Sequence, residues 1–205
     1  MKLTERQTDA LTELLNIAFG RTAAALSALT GHRVLLESPD LAVLGLDELA
    51  ATLTRYLPGD IASIQQDFSG PIAGDALLIL SHAGAVGLTG LLTNVPAAEH
   101  LDESAREVLT EVGNILLNAC LSMFGNLLKV RVIFSVPRLR LATVDDLVAS
   151  LPRAEAGPRH AIVISMAFKI KESAVAGFLV MVLGVASLAR LITDVEAWEA
   201  RGERA

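Results

Sequence analysis

The chain has 205 residues, long enough to bury a core without metal or disulfide staples, and 52% of them are hydrophobic while only 4% are aromatic, so that core is aliphatic. A net charge of −6, with no cluster of Lys and Arg and few rings on which bases can stack, argues against nucleic acid as a partner. Cys120 is the one cysteine, which excludes an internal disulfide or a CxxC metal site and makes it a small apolar filler; His32, His82, His100 and His160 lack ligand spacing, so no metal site is expected.

Taken in chain order, the N-terminal segment is polar and amphipathic, with Glu5, Arg6 and Asp9 and no apolar run of the secretory kind, so a cytoplasmic location is expected. A long helix is predicted over about residues 4 to 29. At about 100° per residue from Asp9, Glu13 falls near 40°, Asn16 near −20° and Gly20 near 20°, whereas Leu11, Leu14, Leu15, Ala18, Thr22, Ala25 and Leu29 spread over roughly 140° to 240°. A short β-rich run at about 33 to 37 ends at Pro39, and a brief helix follows at about 46 to 55. Apolar runs at about 60 to 68 and 74 to 81, joined through Ser69-Gly70-Pro71, predict a hairpin, and a helix at about 84 to 93 closes the series.

The same order then recurs: a long helix at about 103 to 128, a β-rich run at 130 to 136 ending at Pro137, a brief helix at 144 to 151, a hairpin at 160 to 169 and 174 to 183 with Lys171-Glu172-Ser173 at its tip, and a helix at 186 to 200. Residues 73 to 93 and 174 to 193 approach the roughly 20 apolar residues of a membrane span, but the first carries Asp75 and His82 and the second divides into a strand and a helix, so no membrane insertion is expected.

This recurrence is an internal repeat. Glu13, Asn16 and Pro39 match Glu111, Asn114 and Pro137 at one constant offset, and Asp47-Glu48-Leu49 matches Asp145-Asp146-Leu147 at the same offset. Farther on the offset grows by two, so that Leu92-Thr93 matches Ile192-Thr193. The expectation is one α/β domain over 1–205 with two pseudo-twofold-related halves, about 1–98 and about 99–205, and a central sheet covered by long helices.

Walker A, GxGxxG, HExxH and GxSxG signatures are all missing, which leaves the polar faces of the two long helices as the place for chemistry. The second face carries Glu107, Glu111, Asn114 and Asn118, opposite Leu109, Val112, Leu116, Ala119, Cys120 and Met123. A lone Glu-x-x-Asn reads most plainly as a solvated helix face. Two copies at matched positions weigh against that, because Asn is a mediocre helix-interior residue and the surroundings have diverged, Arg21 standing against Ala119.

The twice-present pattern Asp/Ser-x3-Glu-x2-Asn-x22-Pro, here Asp9, Glu13, Asn16, Pro39 and then Glu107, Glu111, Asn114, Pro137, resembles the signature of the CheC family of chemotaxis response-regulator phosphatases, with CheX and FliY. The stretches Asn16-Ile17-Ala18-Phe19-Gly20 and Gly113-Asn114-Ile115-Leu116 are also family-like; Glu107 departs from the Asp or Ser of the pattern. The resemblance implies a phosphatase that hydrolyses the aspartyl phosphate of a CheY-like receiver domain. Asn16 and Asn114 would orient the attacking water, and Glu13 and Glu111 would dock the partner through a Lys. It implies no cofactor of the chain's own, Mg²⁺ being carried by the response regulator, and a CheD-type deamidase as a candidate second partner.

The chemistry is coherent, since an acyl phosphate beside a metal mainly needs a water placed in line, and a neutral amide can do that. The alternatives are a regulatory module that binds a response regulator or a CheD-type deamidase without turnover, and a flagellar-switch component. Pro39 and Pro137 suit strand ends. Of the two sites, that of Asn114 is expected to be the more active, on the ground that Gly113 would leave a receiver's approach clear where Leu15 would obstruct it.

Overall fold

The computed structural model describes residues 3–37, 40–93, 100–151, 159–170 and 173–202; Pro39, the turn tip Lys171-Glu172 and the side chains of Leu29 and Met123 lie outside the described residues. Helix α1 (Glu5–Thr30) begins in a capping box, in which the Gln7 N–H donates to Thr4 Oγ1 and the Thr4 N–H donates to the Gln7 side chain, and it ends at Gly31, whose φ of 67° is the left-handed conformation that stops a helix. After it come β1 (Val34–Leu36), β2 (Asp40–Gly45), α2 (Leu46–Tyr56), β3 (Asp60–Ser69), β4 (Gly74–Ser81) and α3 (His82–Thr93). The second series repeats that order: α4 (Glu103–Leu128), capped by Asp102 on the Ala105 N–H, then β5 (Ile133–Phe134), β6 (Arg138–Thr143), α5 (Val144–Ser150), β7 (Arg159–Ile170), β8 (Ser173–Gly184) and α6 (Val185–Ala200).

All strand pairs are antiparallel, in the order β1-β7-β8-β4-β3-β5, with β2 also on β7 and β6 also on β3. The short strands thus cross over: β1 and β2 of the first series complete the sheet on β7, and β5 and β6 of the second complete it on β3. The register carries the repeat, for Gly45 pairs with His160 as Thr143 pairs with Asp60. The central β4–β8 ladder is self-complementary, with Leu77 opposite Val180 and Leu80 opposite Gly177, so a pseudo-twofold axis passes between the Leu78–Leu179 and Ile79–Phe178 pairs.

Strand alternation sorts the side chains to two cores. Ala62, Ile64, Leu78, Leu80, Ile162, Ile164, Leu179 and Met181 face α1, α4, α3 and α6, while Ile61, Leu77, Ile79, Ala161, Val163, Val180 and Val182 face α2 and α5. The sheet is therefore buried on both faces. Residues 73–93 form β4 and α3, and 174–193 form β8 and the start of α6; no helix among the described residues is long and apolar enough to cross a membrane.

Two expectations need correction. The β-rich runs do not give way to loop and helix after the prolines, because β2 and β6 lie there, and Pro137 sits between β5 and β6. Ala25, expected in the buried stripe of α1, is exposed. The buried positions Leu11, Leu15, Ala18, Thr22 and Leu26 recur at slightly more than 3.6 residues, so the stripe winds around the helix and leaves Ala25 outside it.

Candidate functional site

Helix α1 is anchored from below by Leu11, Leu14, Leu15, Ala18 and Phe19, all buried, which turns Glu13 and Asn16 away from the sheet. Glu13 is half-buried and Asn16 exposed, and neither side chain has a hydrogen-bond partner among the described residues. Glu13 borders an open concavity with Glu5, Arg6, Asp9, Ala10 and Glu199. Its one cation, Arg6, is committed to Glu199 at 2.9 Å, so the concavity presents Glu5, Asp9 and Glu13 as uncompensated carboxylates.

On α4, Leu109, Val112, Leu116, Leu117 and Cys120 are buried; Glu111 is exposed, and Asn114 and Asn118 are half-buried at the helix flank. Here the amide is not loose. Asn118 Nδ2 donates to Asn114 Oδ1 at 2.6 Å, and Gln66 Nε2, from β3 below, donates to Asn118 Oδ1 at 3.1 Å and to the Ser135 carbonyl at 2.8 Å. Asn118 was visible in the sequence as a member of the polar face, since residues four apart stack on a helix. Gln66 was not singled out, although an amide within the strand Ile61-Ala62-Ser63-Ile64-Gln65-Gln66 needs a buried partner and was a signal to look for one.

The two Glu-x-x-Asn pairs do not come together. Thr22 and Cys120, which correspond in the repeat, touch where α1 packs on α4, with Thr22 Oγ1 3.7 Å from Cys120 Sγ. Asn16 and Asn114 each precede that crossing by six residues, roughly 9 Å along their own helices. They form two separate sites related by the pseudo-twofold axis. Burial pushes the Cys120 thiol up to about 12, against the opposing hydrogen bond from Thr22, so it is the inert filler expected and no part of either site.

The basis for ranking the two sites is corrected. Gly113 is buried and faces the sheet: a Cβ there would lie 2.8 Å from Ile64 Cγ1 and Cγ2. Its missing side chain lets α4 sit close on β3 and clears no path for a partner. Leu15 is likewise fully buried in the core and obstructs nothing.

No family model matches the sequence. The protein named CheY-P phosphatase CheC of Bacillus subtilis (strain 168) is 28% identical to it over 174 residues, 79% of this chain and 79% of that protein. Its flagellar motor switch phosphatase FliY is 23% identical over 147 residues, 70% of this chain but only 38% of that longer protein. Both relatives and the fold support the CheC family. The fold is shared with the crystal structure of Thermotoga maritima FliY, at a TM-score of 0.79 and 18% identity, over 98% of this chain and 99% of that one.

Proposed function

We propose that this CheC-family chain hydrolyses the aspartyl phosphate of a CheY-like receiver domain, using Glu13 with Asn16 and Glu111 with Asn114. The observation that carries the reading is the placement of both asparagines. Each is held on a long helix whose other side is clamped to the sheet, Asn16 exposed and Asn114 half-buried at the helix flank. The 28% identity to a protein named CheY-P phosphatase CheC supports the reaction class.

In this mechanism the receiver brings its phosphoryl group, and its own Mg²⁺ to offset the negative charge. A rigid helix delivers the amide, which orients a water for in-line attack. The water oxygen bonds to phosphorus, the bond to the aspartyl oxygen breaks, the carboxylate leaves, and the water's proton passes to the released phosphate or to solvent. Glu13 and Glu111 lie about one turn from their asparagines, on the same faces, and each can pair with a cation of the partner without sitting against the phosphate.

Fold alone does not choose between turnover and mere binding. The decisive experiment is the decay of a phosphorylated receiver with and without this protein. Acceleration is expected, and it should vanish in the folded Asn16→Ala/Asn114→Ala protein. Undiminished acceleration in that double variant would reject the assignment of both asparagines, and binding without any acceleration by the unaltered protein would favour a regulatory module.

A further inference from the structure

We infer that Gln66 and Asn118 are positioning residues that fix the polarity of the Asn114 amide, holding its Oδ1 inward and presenting its N–H donors outward. This inference rests on the phosphatase reading for its catalytic consequence only; the relay itself is a matter of geometry.

The Ser135 carbonyl oxygen can only accept, and it takes a hydrogen bond of 2.8 Å from Gln66. The atom of Gln66 that faces it must therefore be Nε2. That same nitrogen has a second hydrogen, directed to Asn118 at 3.1 Å, so the Asn118 atom facing Gln66 must be Oδ1. Asn118 is then obliged to turn Nδ2 along the helix toward Asn114, one turn earlier, and the Asn114 atom that meets it at 2.6 Å must be Oδ1. Each amide has one donor end and one acceptor end, so the orientation fixed at a main-chain carbonyl propagates through three side chains.

Reversing the chain at any link would set two oxygens or two NH₂ groups against each other. The arrangement also leaves Gln66 Oε1 buried with no hydrogen-bond partner. Turning Gln66 over would bring that oxygen against the Ser135 carbonyl, which is worse, so the unmet acceptor is the cost of keeping the donor direction.

The outcome at Asn114 is specific. One lone pair of its Oδ1 is occupied by Asn118, and both Nδ2 hydrogens are free to hold a phosphoryl or water oxygen. The first site has no such device. Gly20 occupies the place of Asn118, with open space around its Cα, and Met166 occupies the place of Gln66 in β7. Asn16 is exposed and can rotate; Asn114 is oriented before a partner arrives. Pre-orientation removes an ordering step from the reaction, so it belongs in kcat more than in docking.

The test is Asn118→Asp, which keeps shape and volume, still accepts from Gln66, and offers Asn114 an oxygen where a donor stood. Asn114 must then turn its NH₂ inward. Measured in the Asn16→Ala background, where only the second site operates, kcat for receiver dephosphorylation should fall roughly tenfold or more while KM changes little, and Asn118→Ala should give an intermediate loss. Side-chain amide NMR reads the relay without reference to activity. In the unaltered protein the Asn118 and Gln66 NH₂ protons should exchange slowly with solvent and those of Asn114 rapidly, and in Asn118→Asp the Asn114 protons should become slow.

Asn118 protons that exchange as fast as those of Asn16 would overturn the relay. Slow Asn118 protons with an unchanged kcat in Asn118→Asp would overturn the positioning role. An inactive Asn16→Ala protein beside an active parent would also overturn that role, whereas an inactive parent would count against the phosphatase reading and leave the exchange rates to decide the relay.

Discussion

A Cβ placed on Gly113 would lie 2.8 Å from two γ carbons of Ile64 and 2.9 Å from its Cβ, so the backbone of α4 rests on the side chain of a fully buried strand residue. Real Cβ atoms do not approach that closely, and Ile64 is hemmed in by the core, so something must shift if a methyl group is added. Gly113→Ala should therefore destabilise the protein by about 1–3 kcal/mol even though Ala is the better helix former by about 1 kcal/mol. The check is the denaturation midpoint of Gly113→Ala beside that of Gly113→Ala/Ile64→Ala. Removing the two γ carbons should shrink the cost of the first change, and a stabilised Gly113→Ala protein would contradict the packing described.

Cys120 supplies a pH prediction. Burial raises its thiol from 9.0 to about 12 in the folded chain. An acid whose folded pKa is raised contributes stability that is fully present below the unfolded value and is lost as pH rises toward the folded one. Stability should thus decline from about pH 9 upward through this group, and Cys120→Ala should lose that share of the alkaline slope. The same burial predicts that a thiol-specific reagent at pH 8 reacts only after unfolding.

How much of this was legible in the sequence depended on whether the determining contacts were local. The bounds of α1 and α4 emerged to within a residue because apolar stripes are written in nearby positions, and the caps that the structure shows, Thr4 with Gln7 and Asp102 with Ala105, are equally local. Strand β6, Arg138-Leu139-Arg140-Leu141-Ala142-Thr143, has a half-alternating pattern that was readable as an edge strand, yet its partner is β3, more than 70 residues away, and nothing local names it. The outward placement of Glu13 and Asn16 followed from helical periodicity. The Gln66–Asn118–Asn114 chain did not, because it joins a strand to a helix, and only the close approach allowed by Gly113 brings the two together.

A second buried polar contact makes a stability prediction on the other face of the sheet. Asp75 is buried and ion-paired with the half-buried Arg159, Gln65 adds a hydrogen bond to the same carboxylate at 3.2 Å, and Arg159 also donates to the Val182 carbonyl. Burial pushes the Asp75 carboxyl above its ordinary range while Arg159 opposes that shift. Removing the cation alone leaves a buried carboxylate without its counter-charge, so Arg159→Ala should cost roughly 3–5 kcal/mol. In the Asp75→Asn background the same change should cost clearly less. Equal penalties in the two backgrounds, read from urea midpoints, would show that the pair is not coupled.

The last prediction separates docking from chemistry at the first site. Glu5, Asp9 and Glu13 line the concavity, Glu13 about one turn before Asn16 on α1, while Arg6, its cation, is held by Glu199. A partner that brings a lysine or arginine there gains from three carboxylates at once, and exposed charges of this kind are screened over about 10 Å at 0.1 M salt. Measured in the Asn114→Ala background, so that Asn16 alone acts, Glu13→Gln should raise KM several-fold and leave kcat nearly unchanged, because the carboxylate binds the partner equally in ground and transition states. Raising the salt should mimic the substitution, increasing KM in the Glu13 protein and changing it less once Glu13→Gln has been made, since Glu5 and Asp9 remain. A fall in kcat at constant KM would instead assign Glu13 to the reacting centre and overturn its role as a docking group.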